Sequence, residues 1–190
     1  MASGSALPTT SSTADLRERP AADDVRSGLG RSLLGVVRIL VGFEFLWAFF
    51  DKLIGLGFST PAERSWLNGG APTAGYLGGV VDPATGNPFA GFFRFWLELG
   101  PVTDWLFMLG LLGVGLTVTF GFLHRFGALA GAAMMLLMWL ASFPIAPNPF
   151  VDYHLVDLFL LLALAAIGAD RFLGLGGPWR RLVRGNPVLI

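Results

Sequence analysis

The chain has 190 residues, of which 54% are hydrophobic and only 14% charged, with a mean hydropathy of +0.64. That composition excludes an ordinary water-soluble domain, where about a quarter of residues carry charge, and predicts a single all-α integral membrane domain. Thirteen basic and thirteen acidic residues cancel, so net charge selects no partner and no nucleic acid is expected, while the lack of cysteine excludes disulfides, thiolate nucleophiles, iron–sulfur ligation and cysteine-based zinc sites.

Residues 1–31 are rich in Ser, Ala, Pro and charge without helical or strand period, and read as a disordered tail. No short apolar region with a small-residue cleavage site precedes the first long apolar run, so that run is expected to stay in the mature protein. It covers residues 32–55 and is long enough to cross a hydrocarbon core of about 30 Å. Within it lie Arg38, Glu44, Asp51 and Lys52. A charge near the middle of such a helix costs at least about 2.5–3.5 kcal/mol, so Arg38 and Glu44 are expected to face protein or water, with other helices closing around them.

Residues 56–101 are too long and too apolar for a passive linker. Thr60-Pro61-Ala62-Glu63 predicts a short helix ending near Asn68, and Asn87-Pro88 opens a second one rich in Phe and Trp, ended by Gly100-Pro101. Two readings fit this segment, a lid over the mouth of the helices or an interfacial anchor. Three further spans follow at 103–123, 126–143 and 154–169, completing a four-helix transmembrane domain over 32–175. The second and third spans are joined so tightly that they form a hairpin, with glycines and alanines on both sides allowing close approach. Residues 176–190 form a basic tail, with Trp179, Arg180, Arg181 and Arg184 suited to an anionic leaflet. The arginines at 17, 19, 26, 31, 125, 171, 180, 181 and 184 fall on one side, against Lys52, Arg64 and Arg94 on the other, which predicts a multi-pass cell-membrane protein with both termini cytoplasmic and residues 56–101 external.

Arg38, Gly42 and a Lys52 fourteen residues after the arginine, with Gly121-Phe122-x-x-Arg125 followed by Ala128-Leu129, resemble the DoxX/DoxD family of small bacterial four-helix membrane proteins. Two features depart from the family pattern: bulky Phe49-Phe50 stand where a small residue often precedes the lysine, and Glu44 is an additional acid. The large external segment is more similar to the DoxD branch, named for the membrane subunit of a thiosulfate:quinone oxidoreductase. The resemblance implies a quinone-linked redox subunit with quinone as cofactor and a second protein subunit or soluble redox partner. The alternatives are a non-catalytic membrane scaffold for such a partner and a small-solute transporter. Without cysteine pairs, disulfide-forming quinone chemistry is excluded.

The individual residues carry more than one reading. Rise along the helix sets Arg38 about 9 Å deep, level with Thr117, and Glu44 about 18 Å deep, level with Trp139. Arg38 suits a structural role, bonding carbonyls and hydroxyls between helices. Glu44, with no basic residue at its depth, is either a neutral hydrogen-bond donor or a proton-transfer group. His154 and Asp157 stand one turn apart, which fits either a carboxylate-oriented imidazole exchanging protons or an ordinary acidic helix start. Lys52, His154 and Asp157 converge at the external mouth with Asp51 and Asp104. There, Lys52 would face an anionic sulfur donor or a quinol oxygen, His154 would move the proton and Asp157 would fix the ring. Trp66, Trp96 and Trp105 are either flat walls for a quinone ring or interfacial anchors. His124 reads as a loop residue, and the two histidines lie on opposite faces, too far apart to ligate one haem; no metal site is expected.

Overall fold

The computed structural model describes residues 28–146, 148–184 and 186, and among them the chain is helical with no strand. Residues 1–27 of the expected tail, with Arg17, Arg19 and Arg26, lie outside the described residues, whereas residues 28–31 already belong to the first helix. Helix α1 spans Gly28–Phe50 and continues into a π-helical turn at Asp51–Gly55. Helices α2 (Ala74–Val81) and α3 (Ala90–Glu98) follow, then α4 (Pro101–Phe120), α5 (His124–Ala141), α6 (Tyr153–Ile167) and the short α7 (Gly176–Leu182).

Helices α1, α4, α5 and α6 surround one apolar core. α1 packs on α4, α4 on α5, α5 on α6, and α6 returns to α1. Spacing explains which face of α1 turns inward: Gly35, Arg38, Val41, Gly42, Phe45, Leu46 and Phe49 recur every three or four residues and are all buried. They meet Met108, Leu111, Val114 and Val118 of α4, together with Ala128 and Ala132 of α5 and Leu158 and Leu161 of α6. The opposite face of α1 is also apolar, exposing Leu33, Leu40, Phe43, Trp47 and Phe50. A helix hydrophobic all round belongs in a protein interior or in hydrocarbon. Three stretches, Gly28–Gly55, Pro101–Phe120 and His124–Ala141, are long and apolar enough to cross a membrane; α6 is apolar but has only 15 residues.

In hydrocarbon the exclusion of water no longer draws helices together, so close backbone approach and polar ties must do so. Gly42 lies so near α4 that a Cβ there would meet the Thr119 nitrogen at 2.5 Å, and at Gly127 it would meet Thr117 Oγ1 at 1.9 Å. Gly121, at φ 80°, ends α4 by donating its N–H to Thr117, and α5 begins three residues later.

The segment between α1 and α4 differs from expectation. Residues 62–64 and 66–68 form two separate 3₁₀ turns rather than one helix, since Ser65 between them is extended. The helix at Ala74–Val81 has no counterpart in the sequence reading, because AGYLGGVV has little intrinsic helix propensity; packing of Leu77 and Val80 against Phe93 and Ala141 stabilises it.

Candidate functional site

Four polar side chains fasten the segment before α4 onto the helices. Asp51 accepts from the N–H groups of Phe58 and Ser59 at 3.2 and 3.0 Å and from the Ser59 hydroxyl. Asp104 accepts from Thr73 N and Oγ1 at 2.8 and 2.7 Å, joining the start of α2 to the first turn of α4. Asn87 donates to the Ala141 carbonyl at 2.9 Å, and Thr103 donates to that of Trp96 at 2.6 Å. Asp51 and Asp104, expected at the mouth with the reactive groups, are thus occupied as anchors.

Beneath this cap lies a cavity of about 350 Å³ between α2, α3, α4 and α5. Its walls are chiefly apolar, with Leu77, Phe93, Trp96, Phe107, Met134 and Met138 among them, and its polar lining comes from Lys52, Thr73, Tyr76 and Thr103. Lys52 stands on the π-helical turn after α1, a geometry frequent at functional sites. Among the described residues its ammonium reaches the Ser59 hydroxyl alone, at 3.5 Å. The Trp96 indole N–H is buried without a partner among the described residues.

Of the three tryptophans expected as walls, Trp96 alone lines the cavity. Trp66 and Trp105 stack edge to face on each other at 4.5 Å, outside it. His154 and Asp157 also lie away from its lining. Asp152, not Asp157, orients the imidazole: its Oδ2 lies 2.7 Å from His154 Nδ1, while its Oδ1 caps α6 by accepting from Leu155 N at 3.1 Å. An N-cap side chain folds back over the first turn, which brings the Asp152 carboxylate to both the ring and the Leu155 N–H. Burial acts to raise the Asp152 carboxyl, but the bonds from His154 and Leu155 outweigh it and hold the group below the usual carboxylate range. His154 Nδ1 also lies 3.4 Å from Ser142 Oγ at the end of α5. Tyr76 lines the cavity, and burial raises its phenol above the ordinary value.

The charges within the long apolar helices separate sharply. Arg38 is fully buried. One of its terminal nitrogens donates to Val118 O and, at 2.6 Å, to Thr119 O; the other donates to Leu173 O and, at 3.1 Å, to Phe172 O. It thereby ties α1 to the end of α4 and to the chain leaving α6. Glu44, expected inside, is exposed on the flank of α1 near Asp157, because it falls off the helical stripe that carries Arg38. His124, expected in a loop, is fully buried at the start of α5 with Nε2 3.3 Å from Leu164 O. The basic tail is not uniformly free: Arg180 forms a bidentate pair with buried Asp170 at 2.6 and 2.9 Å.

Among the described residues no group of three His, Asp or Glu side chains could hold a metal ion. Compared with protein-family models, curated proteins and solved structures, the chain has no match. What fold and site define by themselves is an apolar helical protein with membrane-compatible helices and a capped cavity at whose lining, among the described residues, stands the Lys52 ammonium.

Sequence reasoning did not reach Tyr76, Ser142 or Asp152 as members of the site. Asp152 carried a usable signal, since an Asp directly before an apolar helix and two residues before a His can both cap and contact the ring.

Proposed function

We propose that the chain is a multi-pass, four-helix membrane subunit of a quinone-linked oxidoreductase, resembling the DoxX/DoxD family, with the quinone head group bound in the capped cavity. The observation that carries this reading is the cavity itself: about 350 Å³ of mainly apolar wall, aromatic and thioether groups among it, with the Lys52 ammonium at its lining. Its size and balance are those of small-molecule sites. Phe93, Trp96 and Phe107 offer flat faces to a ring, while Lys52 and the unpartnered Trp96 N–H are donors suited to carbonyl oxygens. A bound quinone would supply the two-electron, two-proton acceptor that the side chains lack. Electrons would come from a partner subunit or a reduced-sulfur anion attracted by Lys52. In the apolar surroundings of the cavity, Lys52 would act on developing oxygen charge more strongly than in solution.

The test is binding. Protein purified in mild detergent should release quinone on organic extraction, identified by mass spectrometry, and a short-chain benzoquinone should quench its tryptophan fluorescence. Lys52→Ala and Trp96→Ala should each weaken that quenching by about tenfold, the cost of one lost charged or buried hydrogen bond. A folded chain that neither carries quinone nor responds to the analogue would sink the reading, and soluble proteins co-purifying in its place would favour the scaffold.

A further inference from the structure

We infer that the open groove between α5 and α6 holds an anionic phospholipid of the bilayer, with one acyl chain lying along the groove and the phosphate on Arg125. The inference goes beyond the quinone site and rests only on the multi-pass part of the reading above.

The start of α5 and the end of α6 stand side by side, since His124 Nε2 lies 3.3 Å from Leu164 O. Beside that contact a groove of about 270 Å³ opens outward, lined by Arg125 and Leu129 of α5 and by Leu162, Ala165 and Ala166 of α6. Helical spacing puts Arg125 and Leu129 on one face of α5, and Leu162, Ala165 and Ala166 on one face of α6. The two alanine methyls leave open the space that larger side chains would occupy. Arg125, Leu129 and Ala166 are all exposed. The groove is thus apolar along the helices and basic where α5 begins, the polarity of a lipid chain with an anionic head.

Charge selects the occupant. Among the described residues, neither Arg125 nor Arg171 makes a hydrogen bond or an ion pair. A Cβ at Gly168, where α6 ends, would meet Arg171 Nε at 3.5 Å, so a second cation stands at the same end of α6 as Ala165 and Ala166. The acid of this end, Asp170, is buried and taken up by Arg180. The other described acids lie in the cap, in the far half of α1 and its π-helical turn, or at the starts of α4 and α6. No carboxylate among the described residues is therefore at hand for Arg125. A guanidinium grips a phosphate through paired N–H groups, while Leu129, Leu162 and the alanines cover hydrocarbon. A soluble phosphate would use the cation and leave the groove empty; a phospholipid uses both. On the orientation that the charge count predicts, this end meets the cytoplasmic leaflet, whose anionic lipids are held by basic pockets between transmembrane helices.

Native mass spectrometry of the full chain tests the site, with the protein delipidated in mild detergent and titrated with dioleoylphosphatidylglycerol or dioleoylphosphatidylcholine. The two lipids share acyl chains and differ in net charge. Phosphatidylglycerol should bind at least about tenfold more tightly, the effect of one charge-assisted hydrogen bond, and Arg125→Gln should remove that preference. Ala166→Phe, which fills the groove from an exposed position, should abolish the one-lipid adduct with Arg125 intact. Arg31→Gln removes another exposed arginine, at the start of α1, and should leave the preference unchanged. All three variants should keep the parent's circular dichroism, and glycerol 1-phosphate, a head group without chains, should not displace the lipid. Equal binding of the two lipids, or equal losses for Arg31→Gln and Arg125→Gln as diffuse surface attraction gives, would overturn the site. So would displacement by glycerol 1-phosphate, or a dimer of the chain that Ala166→Phe dissociates. A parent chain that binds the short-chain benzoquinone without preferring phosphatidylglycerol would overturn the lipid site alone, whereas release of the chain from membranes by alkaline carbonate would overturn both readings.

Discussion

Arg38 shows how a single charge inside an apolar helix is made tolerable. A guanidinium carries five donors in a rigid fork, and here its two terminal nitrogens supply four backbone carbonyls from two separate segments. Arg38→Ala leaves those carbonyls buried without donors, so a loss of about 3 kcal/mol or more is expected, read as a fall in melting temperature in detergent. Arg38→Lys should recover only a minor part, because an ammonium cannot span both segments. Glu44→Gln, on the exposed flank, should change stability by less than about 0.5 kcal/mol. Equal losses for Arg38→Ala and Glu44→Gln would contradict this division. The letter R in an apolar run made Arg38 conspicuous, yet its acceptors are main-chain carbonyls, which no residue type announces. For Glu44 depth along the helix was legible but direction was not, since direction depends on which stripe of α1 the neighbouring helices select. Tyr76 was silent for a related reason: it is unremarkable until α2 places it on the cavity wall.

At the level of the helices, the long elements were legible because apolar length and terminal glycines are local signals. Their bounds moved by one to four residues where the first or last turn continued past the apolar run, as at Gly28 and Pro101. The cap was read less well. Its two 3₁₀ turns and α2 owe their shape to Asp51, Asp104 and Asn87, whose partners lie 7 to 54 residues away. The contact of α1 with α4 supplies a quantitative check on helix packing. A methyl group at Gly42 must displace the backbone at Thr119, so Gly42→Ala should destabilise the protein by about 1–3 kcal/mol. Gly113, on the same α4, has open space at its Cβ position, and Gly113→Ala should be neutral or stabilising by up to about 1 kcal/mol through helix propensity. Comparing the two melting temperatures checks whether close backbone approach, rather than glycine itself, is what α1 and α4 require.

On the scale of the whole molecule, the reading as a multi-pass protein makes a directional prediction. Lacking native cysteine, the chain accepts single cysteines without background. Thr85→Cys in the cap should react with an impermeant maleimide from outside intact cells, and Leu182→Cys in α7 should react only after the membrane is opened; labelling of both from outside would reject the orientation. The same end-to-end division has a temporal consequence, and it follows from Arg38. Two of its four acceptors, Phe172 O and Leu173 O, are synthesised about 135 residues after it. During synthesis the guanidinium therefore has a first pair of acceptors when α4 emerges and its second pair only after α6 is complete. An assembly intermediate holding α1, α4 and α5 carries half of that bonding unmet, which makes the last helix the latch that closes the others and exposes stalled chains to quality-control proteases.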